Sequence, residues 1–516
     1  MVYPHIRTPN KRRLIRRGRS VILAVLSVVI GLSGLTACSV PTVILPQTET
    51  LLPAPTTQVP PAEMTQAVIT VTPLPPRPTY PPGELVDYTA QAGDTLPALA
   101  AHFNTTVDEI LAANTFIPKD ATTMPPGMPM KIPIYYAPFW GSSYQIIPDS
   151  LFINGPAQVG FDTSAFVANL PGWLNGYFEY AFGGKRSAAQ IVDYVAQQFS
   201  VSPRLLLALL EYQAGGLSQL AMPSTGVTYV LGMEHWQRKG LYLQLIWAAN
   251  TLNNGYYQWR DGSLQTFDTL DGRLLRPDPW QNAATVALQY YYSRLFDGDL
   301  FARAVAHDGL AQVYEELFGD PWQGVEPHIP GSLTQPEFRL PFNAGVEWAY
   351  TGGPHTAYGT GAPFAALDFA PGAIKGGCTP TRELAIAVAP GVVARSELGT
   401  VVLDLDGDGD ERTGWILFYF HIGTEGRAPA GTVLNTGDPI GYPSCEGGRT
   451  TGTHIHIARK YNGEWILADG VLAFNLEGWV AHNGTNAYQG TLTRNTKIIT
   501  ACDCADAGSQ IFAGER

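Results

Sequence analysis

Apolar positions recur along the chain with changing period, and the changes divide it. Val21 to Leu35 is an apolar run with no charged residue, shorter than the roughly 20 residues a membrane-spanning helix needs. Residues 39–83 are rich in Pro and Thr and hold no sustained hydrophobic period. Such a stretch cannot bury a core, and it reads as an extended spacer that gives reach. The period then sharpens. A short strand at Tyr88-Thr89-Ala90 meets a turn at Gly93-Asp94. Asp94 or Thr95 can cap a helix carrying Leu96, Leu99, Ala100 and Phe103. Thr106 can cap a second helix with Val107, Ile110 and Leu111, which Asn114 ends. Pro126-Gly127 turns into a last strand, Met130 to Ile134, completing a βααβ unit.

Residues 150–325 read as mostly helical. Ile191, Val192, Val195 and Phe199 form a helical stripe, and Ser202-Pro203 opens a helix that is apolar on most faces and ends at Gly215-Gly216. Beyond residue 335 the runs become strand-like, as in Ala385–Val388, Val401–Leu405, Trp415–Phe420 and His454–Ala458, so an antiparallel all-β domain is expected. The predicted fold is multidomain, with a spacer over 38–84, a small βααβ unit over 85–136, a helical domain over 150–328, a β domain over 335–490 and a tail over 491–516.

Composition changes this picture at the N-terminus. The chain has 516 residues, 45% of them hydrophobic, enough for about three domains with real cores. The formal charge is −12, yet the first 19 residues hold seven Lys and Arg and no acid; without those seven the remainder carries −19. That argues against a nucleic-acid partner. A basic stretch, an apolar run and Leu35-Thr36-Ala37-Cys38 resemble a bacterial lipoprotein signal over residues 1–37. The resemblance implies lipidation of Cys38. It also implies an exported chain anchored to the outer side of the cytoplasmic membrane, or to another envelope membrane, facing the cell wall. The other four cysteines then suit disulfides. Cys378–Cys445 with Cys502–Cys504 is the first of three possible pairings.

The βααβ unit, through YTAQAGDTLPALAAHF, VDEILAAN and PPGMPMKIP, resembles a LysM domain. That implies binding to N-acetylglucosamine polymers such as peptidoglycan, with contacts expected at Gly93, Asp94 and Thr95 and at Asn114, Thr115, Phe116 and Ile117. The helix around Glu211 resembles the one bearing the catalytic glutamate of lysozyme-like lytic transglycosylases, although Tyr212 stands where those enzymes usually carry Ser. A lysozyme-like fold is therefore expected for this domain, with Glu211 as a possible glycosidase acid or, alternatively, a paired helix-end carboxylate.

The densest chemistry is in the β domain: His355 in GGPHTAYG, Asp368 in LDFAPG, His421 in YFHIG, and His454 and His456 in GTHIHIA. Residues two apart on a strand share a face, so the last pair can reach one pocket. Imidazoles with a carboxylate suit Zn²⁺, whose catalytic sites take three protein ligands. These motifs resemble lysostaphin-type zinc metalloendopeptidases of the LasA and beta-lytic branch. The commonest pattern of that family places its first histidine four residues before the aspartate, where this chain has Phe364; His355 stands 13 residues before, as in the LasA-like branch. The resemblance implies His355, Asp368 and His456 as zinc ligands, His421 and His454 as catalytic histidines, and cleavage of cell-wall cross-link peptides. The alternatives are an inactive wall-binding scaffold or hydrolase activator, and a bifunctional hydrolase using Glu211 on glycan strands. Asp404, Asp406, Asp408 and Asp410 alternate with Gly as in calcium loops, but Trp415 stands where an EF-hand needs Glu, so a hairpin turn competes with Ca²⁺.

Overall fold

The computed structural model describes residues 77–514, apart from 224, 225 and 373–375; the expected signal segment, Cys38 and the expected spacer up to residue 76 lie outside the described residues. The described residues form one compact unit, in which a small βααβ unit, a helical layer and antiparallel sheets pack together. No helix among the described residues is long and apolar enough to cross a membrane.

In the first unit, β1 (Glu84–Thr89) pairs antiparallel with β2 (Pro129–Ile134), Tyr88 opposite Met130. The strand starts at Glu84 rather than Tyr88 because Glu84 finds a partner in Ile134. Thr95 caps α1 (Leu96–His102) by accepting from the Ala98 amide. Thr106 and Glu109 form a capping box on α2 (Val107–Ala113), satisfying two otherwise orphaned amides. Leu99, Phe103 and Ile110 fill the space between the helices and the hairpin. The end of the expected spacer is docked here as well, with the Arg77 guanidinium 3.8 Å above the Trp280 ring.

The helical layer is built on α3 (Ala188–Phe199), α4 (Pro203–Ala214), α5 (Leu241–Arg260) and α6 (Ala283–Ser293). Ser187 and Gln190 box the start of α3, and Ser202 caps α4 with Pro203 in its first turn. Gly215 ends α4 at φ +55°, a left-handed position that costs glycine little. Leu205 to Leu210 are all buried, which accounts for a helix apolar on most faces. Two short hairpins, Phe178–Ala181 with Gly184–Ser187 and Phe267–Asp268 with Leu274–Leu275, add strands to a region expected as helical.

The main sheet has nine strands: β3 (Glu347–Thr356), β4 (Phe364–Pro371), β5 (Gly391–Glu397), β6 (Thr400–Asp404), β7 (Trp415–Phe420), β8 (Val433–Leu434), β9 (Ile455–Tyr461), β10 (Glu464–Trp465) and, near the C-terminus, Gln510–Phe512. The spatial order runs β8-β5-β6-β7-β9-β4-β3 and then Gln510–Phe512, with β10 hanging from β9. Described residues of the segment read as a tail, 491–516, take part in both sheets. Ile511 pairs with Trp348 at the sheet edge, and Gly490–Arg494 and Lys497–Thr500 extend a second, four-stranded sheet. Polar spacing hid these strands, whose buried side chains are few and far apart. Disulfides join Cys378 to Cys445 and Cys502 to Cys504.

Alternation assigns the two faces of the sheet. Leu367, Phe369, Leu417, Tyr419, Ile455 and Ile457 enter one core. Ala366, Ile416, Phe418, Phe420 and Ala458 enter the other, which they share with the helices. Asp368 and His456 thus belong to the face on which the helical layer lies.

One buried ionic hub ties the three regions. Arg260, at the end of α5, donates to the Ala92 carbonyl of the βααβ unit (2.5 Å) and pairs with Asp149 (3.0 Å) and with Glu464 of β10 (3.2 Å). Glu464 also accepts from Tyr256 and meets His328 at 2.6 Å. His102 lies flat on Trp259, ring centres 3.5 Å apart.

Candidate metal centre

Strand register delivers the first two residues. His456 on β9 stands directly opposite Asp368 on β4, so their side chains emerge from neighbouring strands on the same face. His355 comes from the far end of β3, where irregularities in the β3–β4 pairing bring it opposite Ala366. Gly352 makes room, since a Cβ there would sit 2.6 Å from the Asp368 Oδ2.

Three ligand atoms converge. His355 Nε2 is 3.2 Å from Asp368 Oδ1, His456 Nδ1 is 3.3 Å from the same oxygen, and the two ring nitrogens are 3.0 Å apart. Backbone carbonyls set the tautomers, because a carbonyl can only accept. His355 Nδ1 faces the Gly353 carbonyl at 2.8 Å and His456 Nε2 the Ala357 carbonyl at 2.9 Å, so each carries its proton there. Two nitrogen lone pairs and a carboxylate oxygen then point at one another, and that oxygen, Asp368 Oδ1, is buried without a hydrogen-bond partner. A buried orphan of this kind is costly unless a cation sits among the donors. A tetrahedron of ligands about 2.0–2.1 Å from zinc has edges of about 3.3 Å, close to these separations. The donor set and its spacing fit zinc.

Electrostatics agree. Burial by itself would raise the Asp368 carboxyl, but the imidazoles of His355, His454 and His456 around it hold it well below the usual range, in the ionised form a metal ligand needs. Burial lowers His456.

The other two histidines flank this cluster. His454 Nε2 is 3.6 Å from Asp368 Oδ2, and its Nδ1 is 2.8 Å from the Gly452 carbonyl and 3.2 Å from the Thr450 hydroxyl. His421 follows β7, its ring 4.6 Å from that of His454, with Nδ1 2.8 Å from the Glu446 carbonyl. Both rings therefore keep Nδ1 protonated and Nε2 free. Burial, then the proximity of His454 and His456, lowers His421 to about 3, leaving it neutral at neutral pH. Its backbone sits at φ +61°, unusual for a non-glycine residue; Ser444 fixes it by donating its amide (2.7 Å) and hydroxyl to the His421 carbonyl. Tyr488, which carries no motif, stacks on His355 with ring centres 4.1 Å apart.

Other candidate residues lie elsewhere. Glu211 accepts the Leu217 and Ser218 amides (2.7 and 3.1 Å) and closes the turn after α4. Asp404 accepts amides from Asp406, Gly407 and Gly409, the pattern of a hairpin turn; Asp404, Asp406 and Asp408 lie close together, and burial pushes Asp404 up to about 6. In the βααβ unit, Asp94 is turned inward to Tyr88 and the Gln91 amide, and a Cβ on Gly93 (φ +81°) would meet the Arg260 guanidinium at 2.7 Å. Asn114 is buried and bridges the Ile110 carbonyl to Lys131. Phe116 is exposed, and Thr115 lies beside it on the surface. Ile117 is buried, and Thr95 is the cap of α1.

The LysM domain model matches residues 88–133, and the model of the LasA N-terminal domain matches residues 145–332, the helical layer. Protease LasA from two strains of Pseudomonas aeruginosa is 25% and 24% identical over 347 and 344 residues, covering 62% of this chain and 75% of the relative in both cases. Among solved structures, the M23 metalloprotease pseudoalterin, from the deep sea, is 22% identical, with a TM-score of 0.28 over 33% of this chain and 96% of its own. Lysostaphin from Staphylococcus simulans is 19% identical, with a TM-score of 0.18 over 31% of this chain and 67% of its own. Domain matches and relatives together show a chain that carries a LysM match followed by a LasA N-terminal-domain match and that is similar to LasA proteases over 62% of its length.

Proposed function

We propose that the chain is an extracytoplasmic zinc endopeptidase that cleaves peptide cross-links of bacterial peptidoglycan, held at the wall by its LysM domain and at the membrane by lipid on Cys38. The observation that carries the reading is the convergence of His355 Nε2, His456 Nδ1 and the orphaned Asp368 Oδ1. LysM and LasA relationships supply the wall context.

His355, Asp368 and His456 would hold the ion. A zinc ion there would make bound water a nucleophile near neutral pH and polarise the scissile carbonyl. The chain's own residues do the rest. His421 and His454 each present an unprotonated Nε2 beside the cluster, so each can take the proton from the attacking water. Once protonated, the same nitrogen becomes a donor to the charge growing on the carbonyl oxygen. Glu446, Gly452 and Thr450 hold the two rings so that Nε2, and not Nδ1, faces the reaction. Glu211, engaged by two amides, is assigned to the helix end.

Removing metal with a chelator is expected to abolish amine release from purified peptidoglycan, and stoichiometric Zn²⁺ to restore it. Cleavage that survives complete metal removal would sink the reading.

A further inference from the structure

Apart from the metal centre, a cleft of about 260 Å³ opens where the LysM unit, the end of α5 and the β domain meet. Gly93, Thr95 and Pro97 of the LysM unit line one side; Leu467, Val471 and Asn483 of the β domain line the other. Phe364 and Trp465 add aromatic surface, while Asp261 and Asp469 add carboxylates. Pro97, Asp261, Gly470, Val471 and Asn483 are exposed, so the mouth lies between the two domains. A mostly apolar hollow with a few convergent polar groups is the usual make-up of a small-ligand site.

The cleft is connected to the chemistry. Asn483 ends the strand Trp479–Asn483, and the hairpin that follows carries Tyr488, whose ring covers the metal-cluster residue His355. Tyr488 is fixed there by backbone bonds, its carbonyl accepting from the Gly353 amide and its own amide donating to the Pro354 carbonyl. Phe364 begins β4, the strand that carries Asp368. One short hairpin and one strand thus run from the cleft to the centre.

We propose that this cleft is a composite binding site for an amino-sugar residue of a glycan strand, with one wall from the LysM unit and the other from the peptidase domain. The proposal rests on the reading of the chain as a peptidoglycan peptidase and deepens it. Ring faces pack on Phe364, Leu467 and Val471, while hydroxyl and acetamido groups meet Asp261, Asp469 and Asn483. The volume falls just below the span of drug-sized ligand sites, about 300–1,000 Å³, so it takes a single sugar residue rather than a long stretch. Glycan seated there sets the peptide that hangs from it at a fixed distance from the metal.

The test uses the full chain and a soluble N-acetylglucosamine tetramer. Val471→Trp narrows the mouth and Asn483→Ala removes a polar contact; both are surface positions outside the metal cluster. Each is expected to weaken tetramer binding about tenfold, the loss of one or two such contacts, while a control at exposed Val433 (Val433→Trp) leaves it unchanged. Hydrogen exchange is expected to slow on tetramer addition in residues 91–97 and also in 467–484. Wild-type binding that both variants retain, or protection confined to the LysM side, would overturn the composite site and leave the peptidase reading intact. A wild-type chain that ignores the tetramer would overturn the site together with LysM targeting, whereas failure of metal-dependent cleavage would strike the peptidase reading alone.

Discussion

At the residue scale, the proposed function divides the five residues of the β-domain centre into holders of the metal and movers of protons. His456 shares an orphaned oxygen with His355, whereas His454 and His421 stand beside the cluster with free Nε2 atoms. His454→Ala and His421→Ala are therefore expected to keep most of their zinc while turnover falls by about 10²–10⁴-fold, the usual contribution of a positioned acid–base or oxyanion group. Metal content and rate measured on the same preparations check this; zinc lost from His454→Ala as completely as from His456→Ala would reverse the assignment. These five residues were legible in the sequence because their types and spacing carry chemistry. Tyr488, Ser444 and Glu446 were not. Ser444 and Glu446 act on His421 through backbone groups or a small hydroxyl, and Tyr488 reaches His355 across a fold that no local pattern encodes.

At the element scale, caps and hydrophobic periods gave α1, α2, α3 and α4 nearly to the residue, since local hydrogen bonds decide those ends. The docking of these elements was hidden, because Arg260 and Trp259 meet the LysM unit from more than 150 positions away. His102 gives this junction a pH dependence. Its Nε2 donates to the Trp259 carbonyl at 2.9 Å, and burial, chiefly, lowers it to about 3. Unfolded, the imidazole takes its proton below about 6.5; folded, only near 3. The unfolded state thus binds the extra proton between those values, and the stability this group contributes is complete above about 6.5 and is lost as pH falls toward 3. Asp94, pushed up to about 6 by burial, works in the opposite sense over part of that window, so a comparison is needed. His102→Phe keeps the stacking surface and removes the titration. Its melting temperature relative to wild type is expected to rise as pH drops from 7 to 4, and a difference independent of pH would refute the assignment.

At the scale of the whole molecule, Arg260 makes three regions one. Its removal leaves Asp149 and Glu464 buried without their cation, which typically costs about 3–5 kcal/mol. Wild type is expected to unfold in a single calorimetric transition, and Arg260→Met to melt lower, with the LysM unit separating first; an unchanged single transition would mean that the hub does not join them. The helical layer also bears on access. Asn250 and Asn254 of α5 accept amides of Thr360 and Ala362, holding the loop that passes over His456, whose side chain, like those of His355 and Asp368, is buried. Of the five residues of the centre only His454 is partly exposed, so a polymer would approach from its side unless the layers part. Activity is therefore best read on intact chain and on chain nicked between the layers. The most direct measurement is zinc content and amine release from peptidoglycan on the same preparations of wild type and His456→Ala. The expected result is one zinc per wild-type chain with cross-link cleavage, both lost together in the variant. Zinc-loaded wild type that releases no amines in either form, or His456→Ala that cleaves as well as wild type, would contradict it.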